Sequence, residues 1–366
     1  MKNSKIRYCI KLCILFSILG CSQNTPHGNI VDISEPMQLN PINASVLIEN
    51  CRYIPLETSD ESIIGEISTI VPCQDGFFVM DRFLQISYFD INGKFMRRIA
   101  RKGQGPGEYT SIHAIDVSEY DKTIHLFDGN SRRILVYTFN NEFLRAIKIN
   151  IGVTKIMKTS WGYIAYANPV LNSGQETAVI TTLAEDGEEL NVLQYKKVEH
   201  SSPWVISPIL KNFNEKYYYY PPLQDTLYSV QVDKIVPEYI FPKGKYSIAM
   251  EEMETMEKYR AAYARGMTLN DLTMDSRQLI MYCTRKNERE LYLYDFASKK
   301  LSGISEIVND IDSSFSFRPR IIYNNQWIEV KNAHEVLEES EILPTALNNL
   351  GKYDNSVIRI STLKKQ

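Results

Sequence analysis

The chain has 366 residues, with 41 lysines and arginines against 44 aspartates and glutamates, a formal charge of −3 and only six cysteines. The mild acidity argues against nucleic acid or an anionic lipid surface as the main partner. The cysteines are too few to build a disulfide scaffold, so a hydrophobic core must hold the fold.

In chain order, the first segment is an address. Lys2, Lys5, Arg7 and Lys11 form a positive patch, and Leu12 to Leu19 is an apolar run too short to span a bilayer. The run ends in Ile18-Leu19-Gly20-Cys21, which resembles the lipobox of bacterial lipoproteins. That resemblance implies cleavage after residue 20 and acylation of Cys21. An ordinary signal peptide followed by a chance cysteine is the alternative. Residues 1–20 carry four positive and no negative charges, so their removal takes the charge from −3 to −7. Membrane contact would then come from the lipid anchor alone. Residues 21–40, polar and punctuated by Pro26, Gly28 and Pro36, read as a tether.

Residues 41–366 read as one repetitive all-β domain. Ala44 to Leu56 is a strand without a neighbour, and Ser356 to Leu363 alternates cleanly, so the two are expected to pair and close a ring. From Phe77 to Tyr109 the chain gives strand, turn and strand, with Asn92-Gly93 expected as a two-residue hairpin loop. The pattern returns at Ile124 to Ile149. Asp81 falls on Asp128, Phe89 on Tyr137, Phe95 on Phe143, Arg97 on Arg145 and Ile99 on Ile147. A period in the forties filled by strands and turns is the signature of propeller blades. Weaker copies lie at Tyr163 to Leu190, Tyr217 to Ile240, Leu279 to Leu301 and from Phe317 onward, where Asn324-Asn325 supplies a turn. The expected fold is an all-β, six-bladed propeller. Small helical insertions are expected at Ile248 to Met267, where Met250, Met253, Met256 and Tyr263 form a stripe, and at Ala333 to Leu350.

FDINGKFMRRIARKGQGPGEY, Phe89 to Tyr109, resembles the NHL-like repeats of six-bladed propellers. Together with YIPLET at Tyr53 to Thr58 and YYYPPLQDTLYSV at Tyr218 to Val230, it is similar to the six-bladed β-propeller lipoproteins of the Bacteroidetes. The resemblance covers nearly the whole mature chain. It implies this fold and a cell-envelope location, and it brings no assigned reaction and no catalytic residues. SQNTPHGN, after Cys21, lacks the acidic cluster associated with surface export in that group, which favours the periplasmic side.

Candidate sites come from repetition. Asp81-Arg82 and Asp128, Asn130, Arg132 and Arg133 occupy one blade position in two copies, so their loops share a face of the ring. They are candidate ligand-binding residues for an anion or a sugar. The competing reading makes each aspartate a turn cap and each arginine a solvated side chain. Gly103 to Gly107 lacks the Lys-Ser/Thr ending of a phosphate loop and reads as an inter-blade turn. The Tyr217 to Tyr220 run reads as packing, since alternate strand residues face opposite ways. Five histidines, His27, His113, His125, His200 and His334, show no metal-ligand spacing. No cofactor is expected, although a calcium or magnesium ion in the central channel is compatible with residues drawn from separate blades. Of the mature cysteines, Cys51, Cys73 and Cys283 allow at most one disulfide beside Cys21. The expected function is a monomeric, lipid-anchored binding or scaffolding module for a protein, peptide or glycan. A metal-dependent hydrolase or lyase with an ion in the channel is the alternative.

Overall fold

The computed structural model describes residues 28–199, 207–312 and 314–364. The signal segment, Cys21, His27, His200 and Trp204 lie outside them. The fold is a six-bladed β-propeller. Its innermost strands are Ile67–Cys73, Ile112–Ser118, Lys155–Thr159, Ile209–Phe213, Met267–Met274 and Ile321–Tyr323, one from each blade in chain order. Each starts an antiparallel meander of four strands, so residues near the beginning of every inner strand gather at one mouth of a central channel.

The ring closes as the alternation predicts. Ile48–Pro55 pairs antiparallel with Val357–Leu363, placing Tyr53 opposite Arg359, and becomes the outer strand of blade 6. Residues 28–40 are not a free tether, which corrects the expected boundary at residue 40. Asn29–Ile30 adds parallel to Ile235–Ile240 of blade 4, and Leu39–Asn43 adds parallel to Lys300–Val308 of blade 5. Both are edge strands, where one side faces water and a proline such as Pro41 is tolerated; this is why their composition resembles a linker. They cover the open backbone edges of two blades.

The hairpin at Asn92-Gly93 is a three-residue turn rather than the expected two-residue loop. The Asp90 amide donates to Lys94 O, the Gly93 amide donates to Asp90 O, and only Gly93 has a left-handed φ, 84°. Asn141 and Gly187 repeat the turn with φ of 69° and 88°. The extra residue produces the register shift between Tyr88 and Phe89. Asn324-Asn325, with φ of 49° and 58°, is a true two-residue loop.

Apolar side chains fill the spaces between neighbouring blades. In Lys216–Tyr220, Tyr217 and Tyr219 pack towards blade 3 while Tyr218 and Tyr220 pack towards blade 5, and all four are buried. The predicted helix from 248 to 267 is shorter: a 3-10 turn over Met250–Met253, then an α-helix over Met256–Arg265. Thr255 separates them because its side chain accepts the Lys258 amide and starts a new helix. Met253 and Ala262 anchor this insertion, whereas Met256 is exposed. The second insertion holds a helix over Ala333–Glu339 and a 3-10 turn over Thr345–Leu347. Cys51, Cys73 and Cys283 are all free thiols. Among the described residues no helix is long and apolar enough to cross a membrane.

Candidate functional site

Asp81 and Asp128 close equivalent turns between the second and third strands of blades 1 and 2. Asp81 is buried and accepts the amides of Gly65 at 3.0 Å, Phe83 at 2.9 Å and Gln85 at 3.0 Å. Asp128, also buried, accepts the Thr110 amide at 2.9 Å, the Ser111 amide at 3.2 Å and the Thr110 and Ser131 hydroxyls. Each carboxylate latches the strand-entry segment of its blade to the turn. Burial opposes the Asp128 charge, but the bonds from Thr110 and Ser131 outweigh it and hold the carboxyl below its ordinary value. Around these latches, Arg82 is exposed with its guanidinium 4.9 Å from the Phe83 ring centre, and Asn130 and Arg132 are exposed. Arg133 donates to Glu108 O at 2.6 Å and lies 3.8 Å from Asp128. The repetition thus brings the two loops to one face, with their aspartates engaged by main chain.

The same face carries the mouth of the channel, a cavity of about 930 Å³. His113 sits on its rim against Gly129 of the blade 2 turn, so close that a Cβ at Gly129 would lie 2.1 Å from His113 Nδ1. Aliphatic patches from residues such as Ile70, Ile115, Ile209 and Ile328, with Met157, alternate on its wall with polar side chains such as Ser68, Thr69 and Asn270. Charged groups cross it in a defined arrangement. Lys211 bridges three blades, donating from Nζ to Asp271 Oδ1 at 2.9 Å and to Arg320 O at 3.5 Å. Lys155 donates to Pro208 O at 3.1 Å. Its burial, with Lys211 close by, pulls the Lys155 ammonium below its usual range, and Asp271 offsets part of that.

The segment Arg318-Pro319-Arg320 enters the inner strand of blade 6 and is held at every residue. The Arg318 amide donates to Glu329, the Tyr282 hydroxyl donates to Pro319 O, and Arg320 O accepts from Lys211. The Arg320 guanidinium lies 5.5 Å from the Tyr282 ring centre. Both arginine side chains are exposed and line the cavity.

The cavity's carboxylates are already engaged. Glu329 receives Nε and an Nη of the fully buried Arg359 at 2.9 and 2.7 Å. Asp271 pairs with Lys211, Glu339 with Lys331, and Glu335 caps the helix at Asn332. Asp116 accepts the amides of Val117 at 2.9 Å and Lys158 at 3.0 Å. Burial pushes its carboxyl up to about 6, against those two bonds and the nearby Lys158 charge. Among the described residues no three His, Cys, Asp or Glu side chains come together as a metal-holding group.

Residues 28–362 match the family described as a domain of unknown function, DUF4934. The chain belongs to the DUF4934 family. No curated protein matches it. The DUF4934 chain is similar in structure to a protein described as exported, BF0058 of Bacteroides fragilis, with a TM-score of 0.75 and 16% identity over 92% of this chain and 100% of that one. It is also similar to a DUF4221 family member of Bacteroides vulgatus, with a TM-score of 0.51 and 11% identity over 87% of this chain and 97% of the other. At these identities the likeness establishes the propeller fold.

Sequence reasoning missed Lys155, Lys211, Asp271 and the two arginines. Lys155, Lys211 and Asp271 come from the inner strands of blades 3, 4 and 5 and the arginines from the segment entering that of blade 6, so no spacing links them. One local signal was present: Arg318 and Arg320 flank a proline, which stiffens the backbone between them.

Proposed function

We propose that this DUF4934 protein is a lipid-anchored module of the cell envelope that binds a protein, peptide or glycan at the polar mouth of its channel. The observation that carries the reading is an open cavity of about 930 Å³ that combines aliphatic patches with cationic side chains, Arg318 and Arg320 among them. A concave site that offers apolar contact beside charged groups can both bury a ligand and orient it. The fold is compatible with a binding role, and the repeated latches Asp81 and Asp128 keep the rim rigid. Anchoring through Cys21 would leave the propeller on the periplasmic side, and the exported relative in B. fragilis is in keeping with an envelope address.

Two experiments test this. Metabolic labelling with an alkyne fatty acid should mark the wild-type chain in the membrane fraction, and Cys21→Ala should lose both label and membrane retention. An unlabelled wild-type chain would end the anchoring claim. For binding, ligands found on peptide and glycan arrays should be lost in Ser68→Trp and Ser207→Trp, which place bulk in the channel. Undiminished binding by both variants would move the site elsewhere on the propeller.

A further inference from the structure

The charged side chains of the channel are unevenly paired. Ten charged side chains line it: Lys155, Lys211, Arg318, Arg320 and Lys331 against Asp116, Asp271, Glu329, Glu335 and Glu339. Arg359, behind the wall, cancels Glu329; Lys211 and Lys331 cancel Asp271 and Glu339. Glu335 is turned to the Asn332 cap and Asp116 to two amides. Lys155, Arg318 and Arg320 are left with no carboxylate within ion-pair distance among the described residues. The arginines are presented from a segment pinned at three consecutive residues, so little backbone ordering is needed when a ligand arrives. Guanidinium forks match planar carboxylates in a bidentate fashion. The apolar part of the lining is almost all aliphatic, and Phe315 is the one phenyl, phenol or indole side chain among the described residues that line the cavity. A sugar site draws on aromatic faces; this one offers branched aliphatic surface.

Resting on the reading that the channel mouth is the binding site, we infer that its ligand is the free carboxyl terminus of a peptide ending in an aliphatic residue. The terminal carboxylate lies between Arg318 and Arg320. The last side chain points down among Ile70, Met157 and Ile209. Capture of a terminal carboxylate is an established mode of peptide recognition, and here guanidinium groups supply the grip.

The test uses the full chain and a labelled hexapeptide pool that is random except for a last residue of Leu, Ile or Val. It is prepared with a free carboxyl end and, separately, with an amidated end; an oligogalacturonate is the third probe. The free-acid pool should bind, the amidated pool at least about 10-fold more weakly, as expected when charge-assisted bonds are lost. Arg318→Ala with Arg320→Ala should reduce free-acid binding at least about 10-fold with an unchanged unfolding midpoint, since both side chains are exposed. Arg318→Lys should restore part of the charge and less of the affinity. Equal binding of acid and amide, still blocked by Ser207→Trp, overturns this inference and leaves the channel as the site. Binding of oligogalacturonate alone overturns the peptide assignment in the same way. If no probe binds, the inference falls, and the array experiment with the two channel-filling variants decides separately whether the binding reading falls with it.

Discussion

The turns of blades 1 and 2 and the channel entry of blade 6 lie on one face of the ring, and both are rich in charge, but they use it differently. At the turns, Asp81 and Asp128 recur in the repeat and are filled by main-chain amides. At the entry, the side chains of Arg318 and Arg320 form no ion pair among the described residues, while their backbone is held from three sides. A residue that repeats from blade to blade meets the same local need each time, which is to hold a turn. A residue that departs from the repeat answers to something outside it. In a propeller, function is therefore to be sought where the repeat fails.

Arg359 offers the largest way to break this contrast. It is fully buried, donates to Glu329, Phe315 O and Ser316 O, and lies between the rings of Phe315 and Phe317 at 4.2 and 3.6 Å. Arg359→Ala leaves Glu329 as a buried, unpaired charge and should cost about 3–5 kcal/mol in urea unfolding. It should also weaken ligand binding, because the released carboxylate competes for Arg318. Adding Glu329→Gln should return much of the stability; if it does not, the pair matters as packing rather than as charge.

The latches come next. Asp81→Ala and Asp128→Ala each strand several buried amides and should lose about 2–3 kcal/mol, with binding at the channel unchanged. Loss of binding without loss of stability would reverse the assignment and make these residues the site. For Asp128 the folded carboxyl lies below its ordinary value, so its stabilisation is present above about pH 4 and disappears as pH falls through the folded value. Asp128→Asn should flatten the acid limb of the stability profile, measured by circular dichroism.

The repeat was legible in the sequence because blades depend on local alternation and turn residues, which short windows carry. Phe89, Phe95 and Ile99 show their register against Tyr137, Phe143 and Ile147 in the sequence alone. The ring closure by Ile48–Pro55 was legible for the same reason. Residues 28–40 misled because an edge strand needs only half its backbone paired, so its composition stays that of a linker. Asn92-Gly93 misled because Asn-Gly serves both a two-residue loop and a three-residue turn, and only the opposing register distinguishes them. The channel was illegible for a different reason. Lys155, Lys211, Asp271 and Arg318 are brought together by the closure of the ring, and nothing in their spacing announces a shared axis.

Asp116 gives the smallest effect and the finest test, because it belongs to the channel wall and yet is used as the latches are, by two main-chain amides. The charged neighbour facing it is Lys158, whose ammonium donates to Glu185 at 2.5 Å and to Thr159 O at 2.6 Å and so is largely occupied. Burial therefore dominates and raises the carboxyl to about 6. Between about pH 4, where an unfolded aspartate titrates, and pH 6 the folded chain binds the extra proton. Stability must then fall as pH rises through that window, by about 1 kcal/mol once water reaching the side chain through the channel is allowed for. A carbon-13 carboxyl titration should place Asp116 near 6; a value near 4 would mean that the channel is wetter than the burial of this side chain implies. Protonation also removes a negative charge near the cationic rim, so a carboxylate ligand should bind more tightly at pH 5.5 than at pH 7.5. The opposite trend would place the bound anion away from this wall.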